Sequence, residues 1–200
     1  MNLTLITAPA TWPIDLDRLR DHLGEPREGV DGFEQEVDDL VQEALATAVG
    51  MLDGDQGELG KALIAQVWQE EFERVPANGG AVQLGIGPVR GINKVEVRDV
   101  AGAWQEVDVL GFELLRSDGQ YSLASDAWPA SASYRTRLRV TYEAGFGASA
   151  AEIPPAIRRA LLLLAAHFYD IRDPVVLEGK PTEVPISIER LLAPYKPVWV

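Results

Sequence analysis

Few side chains in this 200-residue chain have the type and spacing to do chemistry. It has no cysteine, which excludes disulfides, thiol catalysis and cysteine-ligated zinc. His22 and His167 are its two histidines. Each sits in a helical pattern with no nucleophile pattern beside it, so a packed or capping imidazole is the default reading. Gly85-Ile86-Gly87 and Glu178-Gly179-Lys180-Pro181-Thr182 lack the spacing and strand-to-helix context of a phosphate loop, and read as turns. Acids crowd residues 31–43 without the alternating ligands, central glycine and terminal glutamate of a calcium hand. They read first as a solvated helix face. Arg135, Arg137 and Arg139 fall on one face of a strand pattern; a wet face paired with acids comes first and a partner surface second. No nucleophile–base pair, metal set or cofactor site can be assembled, so the chain reads as non-enzymatic, with no catalytic, metal-binding or cofactor-binding residue.

Charge narrows the partners. Of the formal net −13, residues 1–60 hold 14 acids and 3 bases, a balance of −11. The remaining 140 residues hold 17 acids and 15 bases, a balance of −2. An acidic segment repels phosphates and offers no counterion-release affinity, which disfavours tight or sequence-specific DNA binding. The same repulsion would let DNA pass an acidic wall without sticking. The start of the chain lacks the basic flank and long apolar core of a signal peptide.

The elements that must carry these residues centre on one helix, predicted over 153–170. Pro154 and Pro155 suit its first turn, where no N–H partner is lost, and Asp173-Pro174 stops it. Ile157, Ala160, Leu161, Leu164, Ala165 and Phe168 form one apolar stripe at helical spacing. Leu162, Leu163, Ala166 and Tyr169 form a second stripe on what should be the wet side. A helix apolar nearly all round needs cover on several sides; its own domain can supply some of it, and the remainder points to a second layer or another subunit. The apolar run is too short for a membrane span.

Upstream, Asp15 caps a short helix through Leu23, with Gly24 as its stop. Asp31 with Glu34 opens a longer helix in which Phe33, Val37, Leu40, Val41, Ala44, Leu45, Ala48 and Leu52 recur at one-face spacing. Asp53-Gly54-Asp55 ends it. Strand patterns then occupy 63–75, 81–86, 92–99, 104–109, 112–116, 120–123 and 135–143, with a hairpin turn at Asp118-Gly119. Six or seven short strands predict a small antiparallel sandwich or barrel. Residues 174–185 are proline-rich and loop-like, and Ser187 is placed to cap a helix over 188–193 ended by Pro194. The tail keeps Tyr195, Val198 and Trp199, which are apolar for a terminus. They suit packing on their own domain or docking on another protein. The fold class is therefore α+β: a small helical bundle from both chain ends, residues 1–60 and 150–200, with an antiparallel β-sandwich or barrel-like module inserted at 61–149.

Several segments, in order, resemble the head–tail connector (adaptor) proteins of long-tailed bacteriophages and phage-like gene transfer agents. They run from Pro13-Ile14-Asp15-Leu16 through His22-Leu23, then Gly60-Lys61-Ala62-Leu63-Ile64-Ala65-Gln66-Val67-Trp68 with Phe72 and Pro76. Val140-Thr141-Tyr142-Glu143-Ala144-Gly145-Phe146-Gly147 follows, then Ile153-Pro154 with residues 161–169 and Arg172, and last Leu191-Leu192-Ala193-Pro194-Tyr195. The resemblance spans roughly residues 5–196. It implies a structural ring, commonly of twelve copies, made in the bacterial cytoplasm and fitted in a particle neck. Its partners would be the portal protein, a tail-side neck protein and its own copies, with DNA only in passage and no membrane. On that reading Leu162, Leu163, Tyr169, Tyr195, Val198 and Trp199 are candidate partner-interface residues. Glu36, Asp38 and Asp39 are candidate channel-facing acids. Two other readings stand beside it: a different neck subunit (head-completion or tail-terminator), or a monomeric β-module with a discrete apolar ligand pocket.

Overall fold

The computed structural model describes residues 2–24, 34–77, 79–99, 101–129, 137–170 and 186–196, and the side chains of residues 34–36 fall outside the description. Helices and strands segregate around two apolar clusters. The fold is α+β.

The helical layer holds α1 (Leu16–Leu23), α2 (Glu34–Leu52), α3 (Pro155–Asp170) and α4 (Ile186–Leu192). Asp15 caps α1 by accepting the Asp17 N–H at 2.9 Å, and Gly24 closes it in the left-handed conformation at φ 75°. Pro155 is the first residue of α3, where a missing N–H costs nothing. α3 touches α1, α2 and α4. Its Ile157, Ala160, Leu161, Leu164 and Ala165 lock against Leu19, Leu45, Leu52 and Ile188, all almost fully buried. α4 differs from the expectation: it starts at Ile186, so Ser187 lies inside the helix rather than capping it. Pro194 does not stop the chain from turning, because it sits in a 3-10 turn over Ala193–Tyr195, whose early positions tolerate proline. The expected helix start at Asp31 and the stop at Asp173-Pro174 lie outside the described residues.

The strands are β1 (Asn2–Thr7), β2 (Gln66–Phe72), β3 (Ala81–Leu84), β4 (Val89–Arg98), β5 (Trp104–Val107), β6 (Glu113–Ser117), β7 (Gln120–Ala124) and β8 (Arg137–Ala144). They make an antiparallel five-stranded sheet in the order β1-β2-β8-β4-β5 and a three-stranded sheet in the order β3-β7-β6. Alternation explains which faces meet. Leu138, Val140, Tyr142 and Ala144 of β8 point inward, as do Val95 and Val97 of β4, and they share a core with Val82 and Leu84 of β3 and Tyr121 and Leu123 of β7. The result is a sandwich of two sheets, and the described strands close no barrel. The β6–β7 turn has Asp118 at φ 50° and Gly119 at φ 78°, the left-handed pair that a two-residue hairpin demands.

Residues 2–7 belong with the strands rather than the helices: β1 pairs antiparallel with β2, Leu3 opposite Glu70 and Leu5 opposite Trp68. The two layers are stitched at 53–65 and 144–149. Gly54 N–H donates to the Lys61 carbonyl at 2.8 Å and Ala65 N–H to the Gly147 carbonyl at 2.8 Å. Gly145, at φ 140°, lets this strand run against Ile64 and Ala65; a Cβ there would lie 2.6 Å from their backbone.

Candidate functional site

With no metal-holding group of histidines or acids among the described residues, the sites to examine are surfaces. The second stripe of α3 is largely covered within one copy. Leu162 and Tyr169 are buried and Leu163 is half-buried in the helical cluster, where Leu19, Leu45 and Ile188 also pack. The share of cover expected from the helix's own domain is thus a large one. Tyr195 is half-buried against the same cluster, and Lys196 Nζ bonds Glu58 Oε1 at 2.5 Å, which ties the chain end to the loop after α2. Val198 and Trp199 lie outside the described residues.

The acids of α2 face differently. Asp38 and Asp39 are exposed, and Asp38 pairs with Arg20 of α1, so part of its charge serves to brace two helices. Glu36 lies on α2, its side chain outside the described residues. Arg139 is not a free cation: its Nε donates to Glu96 at 2.9 Å, and its guanidinium lies 4.1 Å from the centre of the Trp104 ring. Glu96 is nearly buried. Desolvation pushes its carboxyl up, but bonds and charge from Arg139 and Lys94 outweigh that and hold it below the usual range. Arg137 is exposed on the same strand, and Arg135 lies outside the described residues. Arg139 shows the acid pairing expected from the sequence, but on a largely covered part of the face, with its side chain 19% exposed.

His22 is exposed in the last turn of α1, and His167 is half-buried, edge-on to Phe168 at 5.8 Å. Gly85-Ile86-Gly87 is a connection between β3 and β4 with a buried role that the motif reading missed. Gly85 N–H donates to Glu70 Oε2 at 2.9 Å, Ile86 N–H to Tyr142 Oη at 3.2 Å, and Tyr142 O–H to Glu70 Oε2 at 3.2 Å. Glu70 is fully buried and its Oε1 has no partner. Burial pushes its carboxyl up, and burial beside Glu70 pushes the Tyr142 hydroxyl up as well. The signal was in the sequence: Gln66, Trp68 and Glu70 alternate on one strand face, so a carboxylate shares an inward register with a tryptophan.

Beneath the segment joining β1 to α1 lies a cavity of about 300 Å³, lined by Pro9, Trp12, Val49, Leu63, Ile64 and Asp53 among others. Its carboxylate is already engaged: Asp53 Oδ1 accepts the Leu63 N–H at 2.6 Å and a Gln66 Nε2 bond at 3.2 Å. Burial raises the Asp53 carboxyl, against the opposing pull of these donors. Thr11, a second polar side chain of the lining, donates to the Ala148 carbonyl at 3.4 Å, so the cavity lacks the free convergent donors and acceptors that orient a small ligand. The exposed apolar side chains instead lie at edges and turns: Leu5 and Ile6 on β1, Trp12 beyond it, Met51 on α2, and Leu110, 90% exposed, after β5. Singly exposed apolar groups are ordinary on a folded surface; Leu5 and Ile6 stand out because they are adjacent on one edge strand.

Comparison with known proteins then becomes informative. The chain matches no known family profile and no curated protein sequence. Solved structures do match. Its fold is similar to that of a chain in the neck of a gene transfer agent particle. In the neck of an empty particle, computed with C6 symmetry, the likeness covers 100% of this chain and 97% of that one, at TM-score 0.75 and 23% identity. In the virion of the native particle the TM-score is 0.72 at 23% identity, and in the native neck computed with C12 symmetry it is 0.71 at 22%. Both helical and β layers are included in the match.

Proposed function

We propose that this chain is a structural subunit of the neck of a phage-like particle, and within the neck the head–tail connector (adaptor). Copies form a ring beneath the portal, a tail-side protein docks below, and DNA passes through the middle. The observation that carries this reading is the end-to-end likeness to a gene transfer agent neck chain at TM-score 0.75. The C6 and C12 symmetries of the similar necks support a ring of identical copies. Exposed acids on α2, Asp38 and Asp39, suit a channel wall that repels DNA phosphates, with Arg20 tempering the first and Glu36 lying three residues before Asp39 on the same helix. The chain end, tethered at Lys196 and continuing through Val198 and Trp199, suits a segment that orders on the portal.

The test is genetic and visual. Particles assembled without this chain should be DNA-filled heads with no tail joined, and restoring it should place ring density directly under the portal. Density at the tail's far end or inside the tail tube would favour a different neck or tail subunit. Tailed, infectious particles made in its absence would end the proposal.

A further inference from the structure

The outer edge of β1 carries the argument furthest. β1 is the first strand of its sheet: one side of its backbone pairs with β2, and no described strand pairs with the other. Asn2-Leu3-Thr4-Leu5-Ile6-Thr7 holds no charge and no proline, and every residue except Leu3 is exposed. Charges, prolines, bulges and very short length are the devices that keep sheet edges from pairing. This edge has a register shift between Leu5 and Thr7 but no charge or proline, so Asn2–Leu5 is its regular stretch, and it adds Leu5 and Ile6 at 41% and 52% exposure. At the far end of the same sheet β5 is likewise paired on one side, by β4.

We propose that β1 of one copy adds to the β5 edge of the next, so that the five-stranded sheet continues from subunit to subunit. The inference rests on the ring reading above. Free N–H and C=O groups along an extended edge are best satisfied by another extended strand. A closed ring of more than two copies needs a head-to-tail contact between two different surfaces, and the opposite ends of one sheet provide them. β1 against β1 would close at a dimer. The side chains match in register: across the paired strands Val107 lies on the same face as Leu3 and Leu5, and Trp104 on the same face as Thr4. Addition of β1 would therefore extend the sandwich core on one face. On the other it would set Thr4 beside the Trp104 ring that Arg139 holds flat.

Because the chain has no cysteine, introduced pairs report single contacts. Thr4→Cys combined with Glu106→Cys, or with Trp104→Cys for a register one pair along, places thiols on the two edges. Within one copy the strands stand four steps apart, about 19 Å at roughly 4.8 Å per step. A disulfide tolerates no more than about 7 Å between Cα atoms, so any cross-link joins two copies. Rings assembled with the portal protein from a double variant, then oxidised and denatured, should give a ladder of covalent multimers, while each single variant stays monomeric. Intact rings seen by electron microscopy that yield no ladder from either pairing would overturn the inference and leave the ring reading standing. Covalent dimers from Thr4→Cys alone would replace it with β1–β1 pairing. Absence of any ring would overturn both. As a second readout, Leu5→Lys with Ile6→Lys should cut ring yield at least tenfold without changing the thermal midpoint of the free chain by more than a few degrees. Undiminished ring yield would contradict the proposal.

Discussion

Replacing Glu70 by glutamine should make the protein as stable as, or more stable than, the parent at pH 8. Glu70 is 0% exposed; Oε2 accepts from Gly85 N–H and Tyr142 O–H, and Oε1 has no partner. Burial raises its carboxyl above the usual 4.5. A group with a raised folded pKa contributes stability that is fully present below its unfolded pKa and is lost as pH climbs through the folded value. Each unit of elevation is worth about 1.4 kcal/mol. The parent should therefore lose stability on account of Glu70 as pH rises from about 4.5 through the raised folded value. Glutamine keeps an acceptor for both donors and has no charge to desolvate. Leucine keeps the volume but removes the Gly85 bond and leaves the buried Tyr142 O–H without its acceptor, at about 1–3 kcal/mol for a buried group left unpaired. Urea unfolding at pH 5 and pH 8 reads all three forms. The expected order at pH 8 is glutamine at or above the parent by about 1 kcal/mol, and leucine below glutamine by about 1–3 kcal/mol. Equal pH slopes for parent and Glu70→Gln would refute the reasoning, because Glu70 would then carry no linked proton.

Arg139→Met removes one of the two cationic partners of nearly buried Glu96, leaving Lys94 at 2.9 Å, and should cost about 1.5–3 kcal/mol, the worth of a hydrogen bond to a charged group. Glu96 is depressed, so its contribution is present above about pH 4.5 and lost as pH falls below that; the variant should lose this part of the acid transition, which urea unfolding at pH 3–6 would show. Gly145→Ala should destabilise by more than about 2 kcal/mol, from strained φ and a Cβ 2.6 Å from the Ile64 and Ala65 backbone; an unchanged melting temperature would contradict this. Deleting residues 197–200 should abolish co-migration with the portal protein on size exclusion while leaving the circular dichroism spectrum intact. Retained co-migration would remove the tail from the contact.

Local chemistry made much of the fold legible. Asp15 and Gly24 at the ends of α1, the Asp118-Gly119 turn and the alternation of β8 are each decided by neighbours in the chain, and each was read from the sequence. Non-local pairings were not. Nothing near residues 66–72 says that β8, some seventy positions later, will lie between β2 and β4. Residues 2–7 fell within the part assigned to the helical bundle because six residues define a strand but no partner, and β1 pairs with β2 about sixty positions on. The second stripe of α3 was seen correctly as apolar. How its cover divides between the chain and any neighbour was left open, because a sequence does not reveal how closely α1, α2 and α4 wrap one helix. Glu70 escaped notice because a lone acid in a strand ordinarily points to water; the two donors that hold it come from residues 85 and 142.

Mixing the purified chain with the portal protein from the same particle and imaging the product by cryo-electron microscopy tests the central claim most directly. The account predicts a ring of this chain seated on one face of the portal, with the helices of α2 toward an open channel and Asp38 or Asp39 lining it. A complex without rotational symmetry, no complex at all, or a ring with these acids facing outward would contradict it.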